Sequence, residues 1–189
     1  MNFPYYIRKI DKNRATRLQS DRISADAVSD LRSSKNELSL FQVASPQEFD
    51  KVIVHFATAT DKLATHIHLF PFQQDMLDQL GLEYELKTAN TSVPDINDLH
   101  YNIIKLDGNL LVKIANFIKM NEKEIKEVLG SKIQTLVKGI LEVKQLDYER
   151  LKPSMLKDIL EKKLAPSAIE DKIRTMLKQN YGEQLRLVS

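Results

Sequence analysis

The residues with the most evident chemical potential are His66 and His68, which flank one residue in the run HIHLF. In a strand, side chains two positions apart leave by the same face, so both imidazoles would point the same way. His55 and Asp61 lie near them in sequence, and two histidines with a carboxylate form a legitimate set for a transition metal. A site of His66, His68 and His55 would lower the pKa of a bound water and support a metal-dependent hydrolase. The competing reading is two histidines on a partly exposed sheet face, with Ile67 and Leu69 on the buried one.

Two further segments could make contacts. His100-Tyr101 closes a stretch rich in backbone-bonding side chains (Asn90, Thr91, Ser92, Asp95, Asn97, Asp98). Such a loop could hold a ligand or partner, or simply join two halves packed by Tyr101. Residues 8–22 hold six basic side chains, of which Arg14 and Arg17 are the first candidates for a phosphate backbone. Near the chain end, two helical segments are joined by Ala165–Ser167, the connection length of a helix-turn-helix. Its second helix would offer Lys172, Arg174 and Lys178 to a groove. Glu170 and Asp171 occupy its first turn, however, where their charges suit the helix dipole better than a base contact. Asp26 with Asp30, and Asp75 with Asp78, sit at helical spacing without a companion base or nucleophile.

The familiar catalytic signatures are missing. The 189 residues contain no cysteine, which removes disulfides, thiolate zinc sites and thiol nucleophiles. There is no G-x-x-x-x-G-K-[ST], G-x-G-x-x-G, H-E-x-x-H or G-x-S-x-G, and no cofactor is implied. Met1–Ile10 carries Arg8 and Lys9 and no apolar stretch of signal-peptide length. No apolar run approaches the ~18 residues of a membrane span. A cytoplasmic protein without membrane contact is expected.

Charge and aromatics divide near Asp107-Gly108. Residues 1–108 hold 12 Lys/Arg and 15 Asp/Glu, a net −3, whereas residues 109–189 hold 16 and 11, a net +5. Ten of the thirteen aromatics precede residue 109. This predicts two domains, a mixed α/β unit over 1–107 and a helical unit over 108–189.

In the front unit, strands are predicted over 3–10, 37–43, 66–70 and 84–88 from their β-branched and aromatic content. Ser24 can cap a helix over 25–31, and Ser45-Pro46-Gln47-Glu48 is a capping box with proline in the first turn. Pro71 is expected to start another helix, ended by Gly81. Leu99–Leu106 fits a strand or a short helix. From Asn109 onward apolar residues recur at helical spacing, with a long stripe over 125–141 interrupted at Gly130-Ser131. Asn121 with Glu124 and Ser167 with Glu170 read as two more helix starts. Residues 182–189 are expected to be loose.

The predicted fold is α+β, or α/β, in the front domain, with a small mixed sheet flanked by helices, followed by an all-α bundle. The predicted function is a non-enzymatic binding or regulatory protein that engages a partner macromolecule, a protein first. The alternatives are nucleic-acid binding through the basic back half and the 8–22 run, and the His-x-His hydrolase. A homodimer seam through a 125–141 helix is a further possibility. The whole-chain pI of about 8.6 is below the ~9 of a dedicated nucleic-acid-binding domain.

Overall fold

The computed structural model describes residues 4–19, 22–31 and 37–181. The chain end from Gly182, expected to be loose, lies outside that range, as do residues 20–21 of the basic run.

The strands are β1 (Tyr5–Ile10), a small hairpin β2 (Leu18–Gln19) and β3 (Arg22–Ile23), β4 (Leu38–Val43), β5 (His66–Phe72), β6 (Glu83–Leu86), β7 (His100–Ile104) and β8 (Lys126–Leu129). The helices are α1 (Lys12–Ala15), α2 (Ala25–Leu31), α3 (Pro46–Thr58), α4 (Gln74–Gln79), α5 (Gly108–Met120), α6 (Gly130–Glu142), α7 (Pro153–Glu161) and α8 (Ser167–Tyr181). Six strands form one sheet in the order β6-β7-β4-β1-β5-β8. Every pairing in it is antiparallel, so the sheet is not mixed.

Helices cover both faces, which is why the central strands are apolar on both sides. In β5, Ile67 and Leu69 enter one cluster while Phe70 and Phe72 enter the other. The first cluster lies under α3, α6, α7 and α8 and is called here the α3 face. The second lies under α2, α4 and α5 and is called the α5 face. Both clusters draw on residues before and after Gly108. Ile53 and Ile67 pack with Val128, Ile133 and Ile159, and Phe70 and Ile103 pack with Ile114 and Ile118. The composition step itself coincides with a helix start, where the Asp107 carboxylate accepts from the Leu110 N–H at 2.7 Å.

Several expected signals act as local chemistry requires. The Ser24 hydroxyl accepts from the Ala27 N–H at 3.3 Å at the start of α2. Ser45 Oγ accepts from the Glu48 N–H at 3.2 Å, and Pro46 sits in the first turn of α3. The Glu48 carboxylate reaches back to Ala44, at 2.6 Å, one residue earlier than a reciprocal box would have it. Gly81 ends α4 at φ +67°, and Leu99–Leu106 resolves to a strand, β7.

Others are corrected. Pro71 does not begin a helix but lies in β5 opposite Ile7. β8 pairs only with residues 66–69, so the proline sits where β5 has a strand neighbour on one side alone. The basic segment after β1 is not all loop, because Asp11 caps α1 by accepting from the Asn13 N–H at 3.1 Å. The Asn90–Asp98 stretch buries Val93 and Ile96 and contains a 3-10 turn over Pro94–Leu99. Ser167 lies inside α8, whose first bonds go to the Pro166 carbonyl, and Glu170 pairs forward with Arg174.

The largest correction concerns residues 125–141. The interruption at Gly130 is present, but the part before it is a strand where helical spacing predicted helix. A 3-10 turn over Glu122–Glu124 leads into β8, and α6 starts only at Gly130. The back half is therefore not all helical. Val128 is drawn into the sheet opposite Ile67, and Ile133, Val137, Ile140 and Leu141 are buried in the α3-face core. The stripe proposed as a dimer seam is used inside the chain.

Candidate functional site

The sheet separates the histidines of the expected metal set. His66 and His68 do share a face, with ring centroids 5.3 Å apart. By strand alternation that is the α5 face, since Ile67 and Leu69 occupy the other. His55 lies on α3, with its ring 5.2 Å from Phe41 on the opposite side of the sheet. The structure does not bring the three together. His68 instead faces Glu127 on β8, Nε2 to Oε1 3.8 Å. Among the described residues no three His, Asp or Glu side chains gather so as to hold a metal ion.

His55 has a different neighbourhood. Phe41 and Phe56 pack against it at 5.2 and 5.5 Å between centroids, and its Nδ1 is buried without a hydrogen-bond partner. Burial, reinforced by His100 and Lys9, holds its pKa down at about 4. The ring is neutral at pH 7. Beside it, Lys9 donates to the Phe56 carbonyl at 3.3 Å. That carbonyl is in the last turn of α3, so the ammonium serves an otherwise orphaned acceptor at the negative end of the helix. Burial, and then Arg8, lowers the Lys9 pKa.

His100 and Tyr101 do not act as a pair, because they occupy opposite faces of β7. His100 packs on Phe41 and donates from Nδ1 to the Lys87 carbonyl at 2.6 Å, which fixes its tautomer. Tyr101 joins Tyr6 and Tyr84 on the α5 face, with centroids 5.4 and 6.2 Å from its own. There the Tyr6 hydroxyl donates to Gln74 at 3.2 Å and accepts from Gln42 at 3.1 Å. Burial and the neighbouring Tyr84 push its pKa well above the ordinary value.

The basic candidates are likewise divided. Arg14 and Arg17 flank the α5-face layer and face Asp11 at 3.5 Å and Asp26 at 2.8 Å. Lys172, Arg174 and Lys178 lie on α8, across the sheet, and Arg174 faces Glu170 at 2.6 Å. Lys172 lines an open groove of about 390 Å³ with Tyr148, Asp171 and Met176.

A second groove, of about 290 Å³, lies at the edge of the sheet. Phe49 and Ile53 from α3 line it, with Val128 from β8 and the Asp50–Lys132 ion pair at 3.6 Å on its rim. Glu127, Val128 and Leu129 all line it as well. The groove therefore borders β8 along these three residues, between α3 and the first turn of α6. β8 is the terminal strand in the sheet order. Among the described residues, the backbone of Lys126–Val128 has hydrogen-bonding neighbours only in β5. Leu129 is 58% exposed beside it. Nothing in the sequence pattern marked this groove, because the segment reads as the start of a helix.

No helix among the described residues is long and apolar enough to cross a membrane. No family model, curated protein or solved structure matches this chain.

Proposed function

We propose that the protein is a non-enzymatic binding protein that engages a partner protein at the β8 edge. The observation that carries this reading is the groove itself. It joins an open strand edge, an apolar floor of Phe49, Ile53 and Val128, and an exposed Leu129 under a charged rim. An unpaired edge of this kind is a template for an extended segment of another chain. The titratable groups do not converge there as a catalytic set would: His55 and His100 sit elsewhere on the α3 face, and His66 and His68 are on the other face. The nucleic-acid reading has less support, since Arg14, Arg17 and Arg174 each face a carboxylate and the two basic groups are divided by the sheet.

The test is affinity capture by the tagged full chain in its native cell, with mass spectrometry of protein and sequencing of nucleic acid from the same eluate. A protein retained by the wild type and lost by Leu129→Asp supports the reading. Recovery of nucleic acid alone, or of partners indifferent to that substitution, overturns it.

A further inference from the structure

We infer, resting on the binding reading above, that the partner element taken by β8 is a short extended peptide segment, added antiparallel as a seventh strand with the side-chain order apolar, apolar, basic, acidic. The main chain dictates the form. The outer N–H and C=O groups of Lys126–Val128 have no partner among the described residues, and an extended backbone is the ligand that satisfies such a row. The size dictates a segment and not a second copy of this chain. Four residues at ~3.3 Å each give an edge of about 13 Å. A stable dimer needs about 800 Å² per partner, which a single strand edge of that length does not reach by itself.

The cross-strand positions dictate the order. Residues directly opposite in an antiparallel pair share a face and interact. Opposite Leu129 and Val128, apolar side chains are favoured, the second lying over Phe49 and Ile53. Opposite Glu127 a basic side chain is favoured, and β5 already presents its inner counterpart there in His68, 3.8 Å from the carboxylate. Opposite Lys126 an acidic side chain completes the set. Read from its N-terminus, the added strand is apolar-apolar-basic-acidic.

The probe is a capped synthetic peptide containing Leu-Val-Lys-Glu, titrated into the full chain, with amide hydrogen exchange read residue by residue. The expected result is exchange slowed about tenfold or more at Lys126–Val128, with a scrambled peptide inert. Glu127→Lys should weaken binding about fivefold, and a peptide with Glu in place of its Lys should restore it. Glu127 is exposed, so the fold is retained and circular dichroism verifies it. No protection at ~1 mM peptide, equal binding of the scrambled sequence, or no recovery in the charge swap overturns the inference. The two proposals fail separately. A captured protein whose cross-links fall away from residues 126–132 removes this inference and the β8 placement while leaving a binding protein, whereas capture of no protein removes the binding reading itself.

Discussion

The Leu63 N–H donates to Asp158 Oδ2 at 2.9 Å across 95 residues of sequence. Asp158 is only 5% exposed, and its other oxygen meets the ammonium of Lys162, the C-cap of α7. One carboxylate therefore holds the loop before β5 to a helix from the far end of the chain. Removing it leaves a buried N–H without an acceptor, and unmade buried bonds cost more than made ones contribute. We expect Asp158→Ala to lose about 2–3 kcal/mol in urea denaturation and Asp158→Asn about 1 kcal/mol, because the amide oxygen still accepts from Leu63. Equal losses would show that the hydrogen bond to Leu63 is not what matters.

His55 should make stability depend on pH. Its folded pKa, about 4, lies below the ordinary 6.5, so the unfolded chain takes up the proton first. Stability is then fully present above pH 6.5, begins to fall as the pH drops through 6.5, and stops falling on this account near 4. A shift of that size corresponds to about 3 kcal/mol. The carboxylates also titrate at the acid end, so the difference between wild type and variant is the quantity to follow. His55→Phe should match the wild type within about 1 kcal/mol at pH 7 and exceed it increasingly at pH 5.5 and 4.5. Parallel pH profiles for the two proteins would contradict this.

Three helix ends in the left-handed region offer a matched set. Lys144 and Lys163 have φ of +57° and +53°, where α6 and α7 end in turns closed by Gln145 N–H to Ile140 and Leu164 N–H to Ile159. Gly81 has φ +67° at the end of α4, with nothing within 4 Å of an added Cβ. A side chain strains that conformation and glycine does not. Lys144→Gly and Lys163→Gly should each stabilise by about 0.5–1 kcal/mol, and Gly81→Ala should destabilise by about 1 kcal/mol. Thermal melts of the three variants decide it, and a destabilising Lys→Gly change would count against the turn geometry.

Gly130 is needed for a different reason. A Cβ there would stand 2.8 Å from the Thr65 carbonyl oxygen, a backbone atom that cannot step aside. Gly130→Ala should cost about 1–3 kcal/mol. It should also speed amide exchange in β8 and the start of β5 more than in β4 or β7, since the clash lies where β8 passes into α6. Uniform acceleration across the sheet would place the strain elsewhere.

Much of the local structure was legible because its causes are local. Ser24 before α2, Ser45-Pro46 before α3 and Gly81 after α4 each act within a few residues, and side-chain oxygens and backbone freedom are visible in a sequence. The alternation in β1 and β4 is legible for the same reason. The candidate site was not legible. His55 and His66 are close in sequence, yet a sheet lies between them, and no spacing rule reports which face a following helix will cover. His100 and Tyr101 looked like a unit and are divided by the pleat.

Residues 125–129 show the boundary most plainly. Ile125, Val128, Leu129 and Ile133 are spaced as a helix would space them, and a cap precedes them. The sequence by itself determined that this segment carries an apolar set and that Gly130-Ser131 interrupts it. Only the tertiary structure decided that it is a strand, because Val128 is buried against Ile67 and the ladder to β5 satisfies backbone groups that a helix would have bonded to itself. The open outer edge, and with it the proposed binding site, exists only because that long-range pairing overrode the local period.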